Sequence, residues 1–256
     1  LVRAVATNTV RQLANTQTFL LPAETALGHP IEIVSGREEE RLIYLGVAHG
    51  MPQSRQRRLV MDIGGGSTEF IIGQGFDALE TESVQMGCIA STLRFFGDGK
   101  ISAKRWRQAQ TEIAVELQQF AADYRQRGWG EAVGSSGTAR AIGNIVQANG
   151  WCEQGISASA VTRLRDALIE AGSVDNIRLA GLAEERVAVI AGGVAIMEAA
   201  FTTFALEQMS VCETAMREGL LHDMVGRALH ADPRSGSISA LAIRYGVDRA
   251  QAARVH

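Results

Sequence analysis

Residues 59–73 read LVMDIGGGSTEFIIG: two apolar runs joined by three consecutive glycines, with one acidic residue of each run beside the turn. Short apolar runs bounded by glycine read as strands. Asp62 therefore falls inside an otherwise apolar strand, where an ionised carboxylate is costly unless it is paired, hydrogen-bonded or bound to a cation. Gly64, Gly65 and Gly66, followed by Ser67 and Thr68, leave backbone N–H groups bare enough to approach an anion. Glu69 opens the second strand and sets another carboxylate beside the turn. An ordinary glycine hairpin suits the same residues, and this segment alone does not choose. It is not a Walker A loop, because no Gly-Lys-Ser/Thr follows, nor a dinucleotide fingerprint, because the next residues are strand-like.

The rest of the chain sets that segment in an α/β pattern. Its 256 residues suffice for one or two domains with a buried core. Strand Val2–Ala6, helix Thr9–Phe19, strand Ile31–Val34 and helix Glu38–His49 alternate as in an open α/β sheet. Pro52–Arg58, polar and basic, reads as a linker. Leu59–Ile63, Glu69–Ile72 and Leu79–Met86 read as an antiparallel meander. Trp106, Ala109, Ile113, Leu117, Phe120 and Tyr124 fall on one face of a long helix. Glu131–Gly134 is a short strand. Val187–Phe204, apolar on nearly every face, reads as a buried helix in which Gly192-Gly193 permits close packing. From Ala231 the chain changes to a turn and short amphipathic helices.

Two further segments carry chemistry. GSSGTARAIG (134–143) lies at a strand end and a helix start, where Ser135, Ser136 or Thr138 caps the helix and the free amides favour a phosphate. EIVSGREEERLIY (32–44) places Glu38, Glu39 and Glu40 at a helix N-terminus. A solvated acidic turn suits that run, as does a carboxylate that orients and deprotonates water in phosphoanhydride hydrolysis.

Other chemistries are disfavoured. The net charge of −3 gives no global basic field for nucleic acid, although Arg outnumbers Lys 23 to 2, and guanidinium forks suit polyanions. Cys88, Cys152 and Cys212 are odd in number and widely spaced, so neither a disulfide framework nor a zinc knuckle is encoded, and a reducing cytoplasm fits. There is no apolar run of membrane-spanning length, no HExxH and no GxSxG elbow.

With these motifs in hand, the chain resembles the exopolyphosphatase and guanosine pentaphosphate phosphohydrolase family, part of the sugar kinase, Hsp70 and actin superfamily. The resemblance rests on ATNTVRQ (6–12), PIEIVSGREEERLIYLGV (30–47), LVMDIGGGSTEF (59–70), QMGC (85–88), GSSGT (134–138), GLAEER (181–186) and AMREGLL (215–221). It implies actin-like, ribonuclease H-like lobes: the last part of a first lobe over 1–55, a second lobe over 56–230, and the start of a helical C-terminal domain over 231–256. It implies Glu39 as the water-activating carboxylate and Asp62 and Glu69 as magnesium-associated acids. Arg11, Gly64, Gly65, Gly66, Ser67, Ser136, Gly137 and Thr138 would bind phosphate, with potassium as an activator. Two departures stand out: the family's opening D-x-G-S-N-S loop is absent, and CETAMREG (212–219) puts Glu213 where an aspartate is usual.

The expected function is magnesium-dependent release of terminal phosphate from inorganic polyphosphate, toward which the three-glycine loop tilts the choice. The alternatives are hydrolysis of guanosine pentaphosphate or a non-catalytic phosphate-binding module. The resemblance further implies a cytoplasmic protein that pairs as a homodimer through the C-terminal domain, without nucleic acid or membrane partners.

Overall fold

The computed structural model describes residues 2–228. Strands β1 (Ala4–Ala6) and β2 (Ile31–Ile33) pair in parallel, joined by helices α1 (Asn8–Arg11) and α2 (Thr16–Leu27). The helix expected over Thr9–Phe19 is thus two helices. Asn15 separates them: its backbone is extended and its side chain accepts from the Thr18 N–H at 3.4 Å, which starts a new helix. Helix α2 runs past Phe19, through Pro22, and ends at Gly28, whose φ of 70° closes it. Helix α3 (Gly36–Gly50) starts at Ser35, whose side chain accepts from the Glu38 N–H.

The second sheet begins with the expected meander, β3 (Arg58–Ile63), β4 (Thr68–Gln74) and β5 (Asp77–Val84), antiparallel throughout. Arg58, expected in the linker, opens β3 and pairs with Glu131 at 2.8 Å. Helices α4 (Cys88–Phe96) and α5 (Ala103–Arg127) lead to β6 (Glu131–Ser135), which joins β3 in parallel and runs into α6 (Ser136–Ala148). Then follow β7 (Ile156–Ser157), α7 (Ala158–Ala171), α8 (Glu184–Val187), α9 (Ile190–Phe204), β8 (Gln208–Val211) and α10 (Met216–Ala228). The strand order is β5-β4-β3-β6-β8-β7.

Alternation along the central strands assigns the two faces. Leu59, Met61, Ile63, Phe70 and Ile72 pack into the larger core with α4, α5, α6, α7 and α9. The predicted stripe of α5 is buried there, and so is nearly all of α9. Val60 and Ile71 point the other way, onto Ile43, Tyr44 and Val47 of α3. Helix α3 therefore shares a core with the strands after residue 58, across the division expected at residue 55. The segment expected to open a helical unit at 231 lies outside the described residues.

Helices α3 and α10 cross in backbone contact. A Cβ on Gly46 would lie 2.0 Å from the Ala215 carbonyl oxygen, and one on Gly219 would lie 1.8 Å from that of Leu42. Beside the crossing, Asp223 is fully buried and receives Arg3 at 3.0 Å and Arg41 at 2.7 Å. A buried carboxylate that lost both guanidinium partners would cost about 3–5 kcal/mol, so this network ties β1, α3 and α10 together.

Candidate active site

The face of the sheet beneath the middle of α3 is apolar, and beneath its first turn it becomes acidic. Period-2 alternation puts Asp62 on the same face as Val60, and Glu69 on the same face as Ile71. The β3–β4 register sets Asp62 directly opposite Glu69. Both are buried. Burial pushes the Asp62 carboxyl up to about 6 against a hydrogen bond from Ser135, and it pushes Glu69 up to about 8, with added repulsion from Asp62. The Ser135 hydroxyl donates to Asp62 Oδ2, and the Ser83 hydroxyl donates to Glu69 Oε1 at 3.1 Å.

The three consecutive glutamates of α3 are separated by the helical turn of about 100° per residue. Glu38 pairs with Arg41 at 2.8 Å on the outer side. Glu40 is buried toward β5, hydrogen-bonded by Thr81, and its carboxyl is raised by burial. Glu39 enters the cavity, where Arg11 Nη2 donates to its Oε2 at 2.8 Å while Arg11 Nη1 holds the Val34 carbonyl at 2.7 Å. Arg11, expected to meet phosphate, stands beside Glu39 with its two terminal nitrogens on Val34 O and the Glu39 carboxylate.

The glycine loop closes this cavity from below. Its turn is fixed by Gly64 N–H to Ser67 O at 2.9 Å. The carbonyls of Gly64 and Gly65 accept from Cys88, Ile89 and Ala90 at the start of α4, at 2.8, 3.0 and 3.1 Å. With the carbonyls bonded behind the loop, the N–H groups of Gly65, Gly66 and Ser67 remain for a ligand; none of them donates within the described backbone. The close approach depends on Gly87, where a Cβ would lie 2.3 Å from the Gly65 carbonyl carbon.

The second loop adjoins the first through parallel pairing of β3 with β6, in which Asp62 faces Ser135. Ser136 has a φ of 81°, strained for a residue with a side chain; its hydroxyl donates to Ile63 O at 3.0 Å and accepts from the Thr138 N–H at 3.3 Å. Ser136 lines the cavity. Gly137 faces away from it, and the buried Thr138 packs on Gly193.

The result is a cavity of about 200 Å³ that brings together Glu39, Asp62, Glu69, Gly64, Gly65, Gly66, Ser67 and Ser136. The structure adds Asn8, whose side-chain amide would lie 2.9 Å from a Cβ on Gly66, and Arg217 at the rim. Asn8 stands in the quoted ATNTVRQ motif and Arg217 in AMREGLL, but the sequence pattern assigns a role to neither. A larger groove of about 780 Å³ between β5, α4 and α5 holds none of these carboxylates or glycines. No group of three or more His, Cys, Asp or Glu that could hold a metal occurs among the described residues. Two buried carboxyls, both raised by burial and Glu69 further by the Asp62 charge, beside free amides, still suit magnesium, which takes one or two carboxylates and fills its shell with water and phosphate oxygens. No helix of the described residues is long and apolar enough to cross a membrane.

Comparison with known proteins places the chain in a family and matches its fold. The model of the Ppx/GppA phosphatase family matches residues 1–228. The guanosine-5'-triphosphate,3'-diphosphate pyrophosphatase of Aeromonas hydrophila is 39% identical over 99% of this chain and 51% of its own length, and that of Aeromonas salmonicida is 38% identical. The chain spans about half the length of these curated relatives. Among solved structures, an exopolyphosphatase from Cytophaga hutchinsonii superposes with a TM-score of 0.77 at 23% identity, covering 87% of this chain and 74% of that one. The Aquifex aeolicus family member gives 0.72 at 23% identity, over 88% and 74%. Fold, motif content and sequence similarity converge: the chain belongs to the Ppx/GppA phosphatase family.

Proposed function

We propose that the protein removes the terminal 5′ phosphate of guanosine pentaphosphate. The observation that carries the hydrolysis is the meeting of Glu39, Asp62 and Glu69 with an amide-lined loop in one cavity. Water held by Glu39 attacks the terminal phosphorus, its proton passes to the Glu39 carboxylate, and the anhydride P–O bond to the 5′ diphosphate breaks. The products are inorganic phosphate and guanosine 5′-diphosphate 3′-diphosphate. Arg11 keeps the Glu39 carboxylate in place through the 2.8 Å ion pair. The N–H groups of Gly65, Gly66 and Ser67 face the charge that builds on the phosphoryl oxygens. Asp62 and Glu69 would hold magnesium, which neutralises phosphate charge when bound.

The same cavity chemistry suits inorganic polyphosphate, and the three-glycine loop favours neither substrate decisively. The Aeromonas relatives, at 39% and 38% identity, weigh toward the guanosine substrate. The test is phosphate release by protein made from the complete reading frame, supplied with each substrate, with magnesium and with a chelator. Magnesium-dependent release mainly from guanosine pentaphosphate is expected. Release from polyphosphate alone selects the exopolyphosphatase reading, and binding without release selects the non-catalytic module.

A further inference from the structure

A second cavity, of about 240 Å³, opens on the far side of the β6–α6 loop, so that Ser136 faces the carboxylate cavity and Gly137 faces this one. Its charged lining comes from Arg140, Arg186, Glu185 and Glu213, with Asn144 between. The Arg186 guanidinium lies against the loop backbone: a Cβ on Gly137 would fall 2.2 Å from Nη2, 2.9 Å from Cζ and 3.3 Å from Nη1. Arg186 forms no ion pair with the described residues. Arg140 meets Glu213 at a long 3.4 Å, and the Glu213 side chain is 80% exposed, so both are open to another partner.

Two charges of each sign are unsuited to a phosphate tail, which offers acceptors alone and would be repelled by Glu185 and Glu213. They suit a planar ligand with both donors and acceptors on its edge. Guanine is such a ligand: its O6 and N7 accept from an arginine fork, and its N1–H and N2 amine donate to a carboxylate. Adenine lacks that donor pair. A guanidinium can also lie flat on the ring.

We propose that this second cavity is a guanine-recognition subsite, held by Arg140 and Arg186 with Glu185 or Glu213, which admits the base while the 5′ phosphates pass Ser136 to the carboxylate cavity. This rests on the guanosine pentaphosphate reading above and explains how a shared anhydride chemistry distinguishes a nucleotide from polyphosphate.

The test uses protein from the complete reading frame, as wild type and as Arg186→Ala, with GDP and ADP as equilibrium binding probes and both phosphate substrates as turnover probes. Wild type should prefer GDP to ADP. Arg186→Ala should weaken GDP binding and lower kcat/KM for guanosine pentaphosphate about tenfold, leave polyphosphate release within about twofold, and keep its melting temperature. GDP affinity unchanged by Arg186→Ala, equal GDP and ADP affinity, or equal losses on both substrates would overturn the subsite. If Arg186→Ala unfolds, the double variant Glu185→Gln/Glu213→Gln with the same probes decides, with loss of GDP preference expected and unchanged preference contradicting the subsite. Wild type that binds GDP through Arg186 yet releases no phosphate from guanosine pentaphosphate sinks the functional reading and leaves the subsite standing.

Discussion

The two glycine loops end neighbouring parallel strands, β3 and β6, yet they are built in different ways. The first turns between two strands and is held from behind, its carbonyls bonded to the opening N–H groups of α4. The second runs straight into α6 and is held by a left-handed serine whose hydroxyl reaches the end of β3. The first loop therefore presents amides because its other side is fixed, and the glycine that permits this is Gly87, outside the loop. The second divides two cavities, and its glycine faces Arg186.

That contrast can be broken one loop at a time. Gly87→Ala should have the largest effect, because the new methyl overlaps the Gly65 backbone, which cannot move without unseating α4. Overpacking of this kind costs about 1–3 kcal/mol, and phosphate release should fall below detection with a lower melting temperature. A variant that melts as wild type and retains turnover would show that the loop is not held from behind. Gly137→Ala should act less broadly, because the atom it meets is the movable end of Arg186. Melting should stay within a few degrees, while the preference for guanosine pentaphosphate over polyphosphate shrinks in a paired phosphate-release assay; a loss of both activities together would argue for a role in the first cavity.

Glu40→Gln should be the mildest and show itself in pH dependence. Burial raises the Glu40 carboxyl above its ordinary 4.5, so the folded state retains a proton that the unfolded chain releases. This contribution to stability is present below pH 4.5 and declines as pH rises through the raised folded value. Denaturant midpoints of Glu40→Gln should lose that decline, with turnover at neutral pH nearly unchanged. A parallel pH profile in both proteins would remove Glu40 as its source.

Much of this was legible in the sequence. The meander, the α5 stripe and the buried α9 follow from periodicity, and the first loop and the acids beside it follow from a charged residue in an apolar strand. What was not legible is convergence. Helix α3 lies before the linker-like segment, so chain order groups it with the first strands, whereas the apolar side of Ile43, Tyr44 and Val47 packs it on the later sheet. Arg11 is 28 residues from Glu39, and no local pattern shows that the two side chains meet. Arg140, Arg186 and Glu213 meet only through tertiary packing. Asn15 was the exception: an N-cap residue was present within the expected helix and marks the break.

The account depends most on Glu39 as the carboxylate that takes the proton from water. The measurement is phosphate release from guanosine pentaphosphate by wild type and Glu39→Gln, in protein from the complete reading frame, beside equilibrium binding of the same nucleotide. Glu39→Gln should lose about 10²- to 10⁴-fold in kcat while binding stays within a few-fold. Turnover close to wild type in a folded Glu39→Gln protein would contradict the account.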